Sequence, residues 1–174
     1  MPQKTVTSTF RIDEEAFRAL QEDAKKQSVS VNTLVNQLIL GYAHYDRIMK
    51  RFQMMKIPGS TFATILDGSS DEAIKKAARE AGESIGKVFT ILKLGSFSAK
   101  TIMEGFRTSA GYINAFEYSE YQHVGGVTIT ITHALGKKGT LFIKEWVETM
   151  FAELHIQPKF LPDERAVIFE IQTP

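Results

Sequence analysis

The chain has 174 residues, 43% of them apolar and 24% charged, with no cysteine and a formal net charge of +1. This is the composition of a soluble globular protein, and without cysteine there are no disulfides, no thiolate zinc sites and no thiol catalysis. No apolar run approaches the ~20 residues of a membrane span and the N-terminus lacks an apolar signal core, so a cytoplasmic protein with no membrane partner is expected.

The first expected element is a strand over residues 5–12, Thr-Val-Thr-Ser-Thr-Phe-Arg-Ile. Phe10 and Ile12 alternate with Thr7, Thr9 and Arg11, the period-two pattern that separates an inward from an outward face. Two helices follow, over 13–28 and 30–45. Asp13 stands where an N-cap is wanted, with Glu14 and Glu15 in the first turn. Ser30 is placed to cap the second helix. There Val31, Leu34, Val35, Leu38 and Ile39 follow the i, i+3, i+4, i+7, i+8 template of an amphipathic face. A lone strand ahead of two helices has no pairing partner within its own unit, and open backbone groups need one. The same strand from a second copy supplies it, which makes a homodimer. A two-stranded ribbon of this kind fits the DNA major groove.

This β-α-α segment resembles the ribbon-helix-helix (Arc/MetJ/CopG-type) family of DNA-binding proteins over about the first quarter of the chain. The resemblance implies that Thr7, Thr9 and Arg11 read base edges. It also implies that Ser30, Val31, Asn32 and Thr33, similar to the family's Ser-Val-Asn-Ser segment, hold a DNA phosphate. An open helix N-terminus suits an anion. The inter-helix turn, Lys26-Gln27-Ser28-Val29, lacks the glycine the family often has there.

The second helix is expected to run on through Tyr45, Ile48 and Phe52, carrying a basic cluster of Arg47, Lys50, Arg51 and Lys56. That cluster is either a solvated face or a further contact with the DNA backbone. Residues 1–57 hold nine Lys or Arg against six Asp or Glu, and the rest twelve against fourteen. Lys4 and Arg11 are unopposed by any acid in the first twelve residues. Pro58-Gly59 marks the expected boundary between a DNA-binding and dimerisation domain, 1–57, and a second domain, 58–174.

Residues 60–113 read as helices. Gly82 stands where a helix would stop. Ile85, Val88, Phe89 and Leu92 then mark a further apolar stripe, and Ser98 is placed to cap the next helix. From residue 116 the pattern becomes strand-like. Val124-Gly125-Gly126 signals a hairpin, and Val127, Ile129 and Ile131 alternate with Thr128, Thr130 and Thr132. Gly136-Lys137-Lys138-Gly139-Thr140 reads as a flexible turn before a long helix. The alternative is an anion held before the helix, although this is not a Walker motif, since residue 131 is Ile where that motif has its first Gly. Two further strands close the chain. The fold class is therefore α+β: a β-α-α dimerisation unit, a helical segment, then a β-β-α-β-β antiparallel sheet with helices on one face. In element order the C-terminal part resembles TRAPP-type and vinyl-reductase-type small-molecule-binding domains.

His44, His123, His133 and His155 lack the spacing of a metal site, so no metal or cofactor is expected. No catalytic constellation stands out, and enzymatic activity is not expected. Phe89, Phe106, Trp146, Met150 and Phe169 are the side chains from which a pocket for a small apolar ligand would be built, or they simply close-pack. The partners expected are double-stranded DNA, a second copy (with higher oligomers open) and such a ligand. The leading functional expectation is a transcriptional regulator with a sensing or oligomerising C-terminal domain. The alternative is an antitoxin-like or other protein-interaction module that uses the first unit to dimerise.

Overall fold

Strand β2 (Gly126–His133) shows most directly how the sequence builds the sheet. Its Val127, Ile129 and Ile131 are buried, while Thr128, Thr130 and Thr132 alternate out of the interior. The computed structural model describes residues 5–113, 115–163 and 165–172, and for Ile113 the backbone alone. Contacts divide the chain into two compact units, residues 1–43 and 44–174. The division lies ahead of Pro58-Gly59, because Tyr45, Ile48 and Met49 bury together with Phe89. Pro58 itself takes the N-cap position of a later helix.

In the second unit, four described strands form one antiparallel sheet in the order β1-β2-β4-β3. The others are β1 (Phe116–His123), β3 (Lys159–Leu161) and β4 (Ala166–Gln172). This is the expected antiparallel β-β-α-β-β order. His123 pairs with Gly126, so Val124-Gly125 is a two-residue turn, and Gly125 takes the left-handed backbone at φ +98 that the turn needs. Across β2 and β4, Val127 faces Ile171, Ile129 faces Phe169 and Ile131 faces Val167. Apolar residues opposite one another lock the register, because a one-residue slip would turn the whole set to solvent.

The helices are α1 (Glu14–Lys26) and α2 (Val31–Gly41) in the first unit. A π-type turn, Tyr42–Asp46, spans the division. The second unit adds α3 (Arg47–Met49), a 3-10 turn (Lys50–Phe52), α4 (Gly59–Gly68), α5 (Asp71–Glu80), α6 (Lys87–Leu94), α7 (Ala99–Ile113) and α8 (Gly136–Ala152). Ser98 and Thr101 cap the start of α7 reciprocally: the Ser98 amide donates to Thr101 Oγ1 at 2.8 Å and the Thr101 amide to Ser98 Oγ at 3.3 Å. Ile143, Val147, Met150 and Phe151 of α8 join the strand residues and Ile74, Ile102 and Phe106 in one core.

Three expectations are corrected here. Gly82 does not stop a helix. Residues 71–94 stay helical through a π-type turn, Ala81–Gly86, and the left-handed cap is Gly95 at φ +75. A Cβ at Gly82 would lie 2.9 Å from Thr149 Cγ2, and one at Gly86 would lie 2.6 Å from Met150 Sδ. These glycines are small so that α8 can approach. The extra residue of the π-type turn also rotates α6. Phe89 and Thr90 are buried, while Val88 and Leu92, members of the expected apolar stripe, are 39% and 46% exposed. Finally, Gly136–Thr140 is not a free turn but the first turns of α8. Lys138 Nζ there donates to the Ser69 carbonyl and lies 3.9 Å from Asp71.

In the first unit the expected strand over residues 5–12 is absent: these residues carry no regular structure and all are exposed. A strand is defined by its pairing, and among the described residues no strand pairs with this segment. Lys4 lies outside the described residues. Among the described residues no helix is long and apolar enough to cross a membrane.

Candidate nucleic-acid interface

The residues expected to hold a phosphate come together in one helical turn. Ser30 caps α2: its Oγ accepts from the Thr33 amide at 3.0 Å and lies 2.8 Å from Thr33 Oγ1. Its carbonyl accepts from the Leu34 amide at 3.0 Å. Val31 and Asn32 are the first helical residues, whose amides have no partner within a helix and point along its axis. Asn32 and Thr33 are exposed and Val31 is half-buried. The positive end of the helix and these donors together suit an anion.

The turn leading into this cap is built by a device the sequence hides. The Val29 amide donates to the Ala24 carbonyl at 3.0 Å and the Ser28 amide to the Lys25 carbonyl at 3.2 Å. That is the paired hydrogen-bond pattern of a Schellman cap, with its left-handed position at Ser28, φ +55. Serine thus does here what glycine commonly does. Upstream, Asp13 Oδ1 accepts from the amides of Glu15 (2.9 Å) and Ala16 (3.3 Å), as its N-cap role requires.

The residues expected to read bases are not brought together. Thr7, Thr9 and Arg11 are exposed on an unpaired segment, and so are Phe10 (64%) and Ile12, which the strand pattern turns inward. The unit as a whole buries little. Of its described residues only Ala24 and Leu34 are fully buried, while Phe17, Leu38 (56%), Ile39 and Tyr42 face solvent.

The residues expected to build an apolar pocket pack against other side chains. Phe106, Met150 and Phe169 lie in the main core with Trp146 against it, and the Phe106 and Trp146 rings meet edge-on at 4.9 Å. Phe89 belongs to a separate cluster with Tyr45, Ile48 and Met49. Burial there pushes the Tyr45 phenol up to about 12. A cleft of about 340 Å³ opens beside α8, and of the five only Met150 lines it. Its rim is charged, with Arg79 paired to Glu145 at 2.5 Å and Lys87 to Glu153 at 2.6 Å.

Other polar side chains tie elements together. The Tyr118 hydroxyl and the Arg107 guanidinium both donate to Glu120 at 2.7 Å, joining α7 to β1. Those bonds, Tyr118's first, hold the Glu120 carboxyl below its usual range. Among the described residues no three His, Asp or Glu side chains stand close enough to hold a metal ion. No family model matches the chain, and no curated protein matches it.

Proposed function

We propose that the protein is a DNA-binding transcriptional regulator acting as a homodimer. Residues 5–12 of two copies pair into a ribbon that enters the major groove, with Thr7, Thr9 and Arg11 toward the bases. The first turn of α2, Ser30 to Thr33, sits on a phosphate. The observation that carries this reading is the exposed apolar set of the first unit: Phe10, Ile12, Phe17, Leu38 and Ile39. Full burial of such a side chain is worth ~1.5–3 kcal/mol, and these five, 39–64% exposed, leave a large part of it unrealised. A second copy covers them and at the same time gives the unpaired backbone of residues 5–12 its partner. The second unit, residues 44–174, serves as the sensing or oligomerising part. The closed core of the second unit favours this regulator over an antitoxin-like module.

Two variants test the reading. Leu38→Asp places a charge in the proposed interface and is expected to abolish the dimer. A stable folded monomer of the unaltered chain at micromolar concentration, seen by sedimentation, would refute the homodimer. Arg11→Ala is expected to weaken binding to the preferred site by about 1–3 kcal/mol and to relax base preference at one position per half-site. Genomic footprinting, starting at the protein's own promoter, supplies the site. An Arg11→Ala protein with unchanged affinity and preference would remove the ribbon from DNA recognition.

A further inference from the structure

The charge of the chain is unevenly placed. Residues 1–43 carry five Lys or Arg and five Asp or Glu, and residues 58–174 carry twelve against fourteen. The entire positive excess lies in residues 44–57, where Arg47, Lys50, Arg51 and Lys56 face Asp46 alone. A protein that binds DNA draws much of its affinity from neutralising phosphates and releasing their counterions. The unit proposed to read the bases is charge-balanced and supplies no such excess.

The local structure turns this excess into a ridge. Arg47, Lys50 and Arg51 follow the i, i+3, i+4 spacing through α3 and the 3-10 turn after it, so they share one side. The other side is anchored. Tyr45, Ile48 and Met49 are buried, and the Tyr45 ring meets Phe89 at 5.7 Å and stacks on Tyr112 at 5.5 Å. All four cations are exposed. Among the described residues Arg47, Arg51 and Lys56 form no ion pair. Arg47, Arg51 and Lys56, long cations with no ion pair among the described residues, the two arginines on a helical stretch held by its opposite face, are a ready anion-binding surface. Two of the three on the helical side are guanidinium groups, whose planar fork matches phosphate oxygens.

We infer that Arg47 and Arg51, with Lys56 beside them, form a second, sequence-independent contact with the phosphates of duplex DNA, separate from the ribbon and the α2 cap. The inference rests on the DNA-binding reading above. The ridge supplies non-specific affinity and salt dependence, and the ribbon supplies base preference.

The test uses the full chain and a mixed-sequence DNA duplex, with binding followed by fluorescence anisotropy from about 50 to 200 mM salt. In a dimer, Arg47→Gln with Arg51→Gln removes four phosphate contacts. The slope of log K against log salt is then expected to become shallower by about 3.6. Arg47→Lys with Arg51→Lys keeps the charge and is expected to keep the slope. An unchanged slope in the glutamine variant, with Arg11→Ala still losing base preference, overturns the ridge and leaves the DNA-binding reading standing. A chain that binds no duplex but binds phosphatidylserine vesicles overturns both, and assigns the ridge with its exposed neighbours Met54 and Met55 to a lipid surface.

Discussion

In residues 44–174 the apolar faces of α8, β2 and β4 meet inside one chain, whereas in residues 5–43 Phe10, Ile12, Leu38 and Ile39 face solvent. Both stretches follow the same rule of apolar periodicity. What separates them is the number of layers. The second unit has a sheet and several helices, so each stripe finds a facing stripe. The first has two helices and an unpaired segment, which among the described residues bury only Ala24 and Leu34. That unburied stripe, together with the unpaired backbone of residues 5–12, is what motivates the second copy proposed above.

The largest expected effect comes from breaking the closed side of this comparison. Phe169 is fully buried, sits opposite Ile129 and Phe160 in the sheet, and meets the ring of Phe151 at 6.2 Å. Phe169→Ala is expected to cost about 3–5 kcal/mol, through lost transfer energy and the cavity left behind. Urea denaturation reads it as a lower midpoint for the second unit. That midpoint should not move with protein concentration. A concentration-dependent midpoint would mean that this unit, too, depends on a second copy, and the contrast with residues 5–43 would disappear.

A smaller effect sharpens the same side through pH. His133 ends β2, where its Nδ1 accepts from the Leu135 amide at 3.2 Å and its Nε2 lies 3.3 Å from Thr140 Oγ1. Accepting at Nδ1 requires the neutral ring, and burial holds its pKa below the ordinary value. The unfolded chain therefore binds the proton more readily than the folded one. The stabilisation is fully present above the ordinary histidine value of about 6.5 and is lost as pH falls below it toward the folded pKa. His133→Asn keeps an acceptor for the Leu135 amide and removes the titration. The unaltered protein should lose stability relative to this variant as the pH is lowered through that window. Parallel pH profiles for the two proteins would show that His133 is not the linked group.

How far the sequence could be read depended on whether the cause was local. The alternation in β2, the Gly125 turn, the Asp13 and Ser30 caps and the β-β-α-β-β succession of elements along the chain all follow from neighbours in the chain, and each appears in the structure. Gly82 was misleading because its reason lies on α8, at Thr149, far away in sequence. A glycine demanded by a packing partner looks the same as one that ends a helix. The exposure of Val88 and Leu92 follows from the π-type turn, which adds a residue that no 3.6-residue template contains. For the candidate interface, the Ser30 cap was legible because a cap is local. The strand expected over residues 5–12 does not form, because alternation sets which way side chains face but does not supply the partner that a strand needs.

The smallest expected effect concerns the turn that sets up that cap. Ser28 holds φ +55, a left-handed backbone that costs a residue with a Cβ about 1–2 kcal/mol. The hydrogen bonds of the Schellman cap, Val29 to Ala24 and Ser28 to Lys25, hold it there. Glycine adopts this conformation without the clash, but it also gains freedom in the unfolded chain, which offsets roughly 0.5–1 kcal/mol of the benefit. Ser28→Gly is therefore expected to stabilise the protein slightly, by about 0.5 kcal/mol. Ser28→Val is expected to destabilise it, because branching at Cβ makes the left-handed region worse. The thermal midpoints of the three proteins, taken at one concentration, should rank glycine above serine above valine. Should glycine fall below serine, the left-handed backbone would not be what limits this turn, and the geometry that delivers Ser30 to the start of α2 would need another cause.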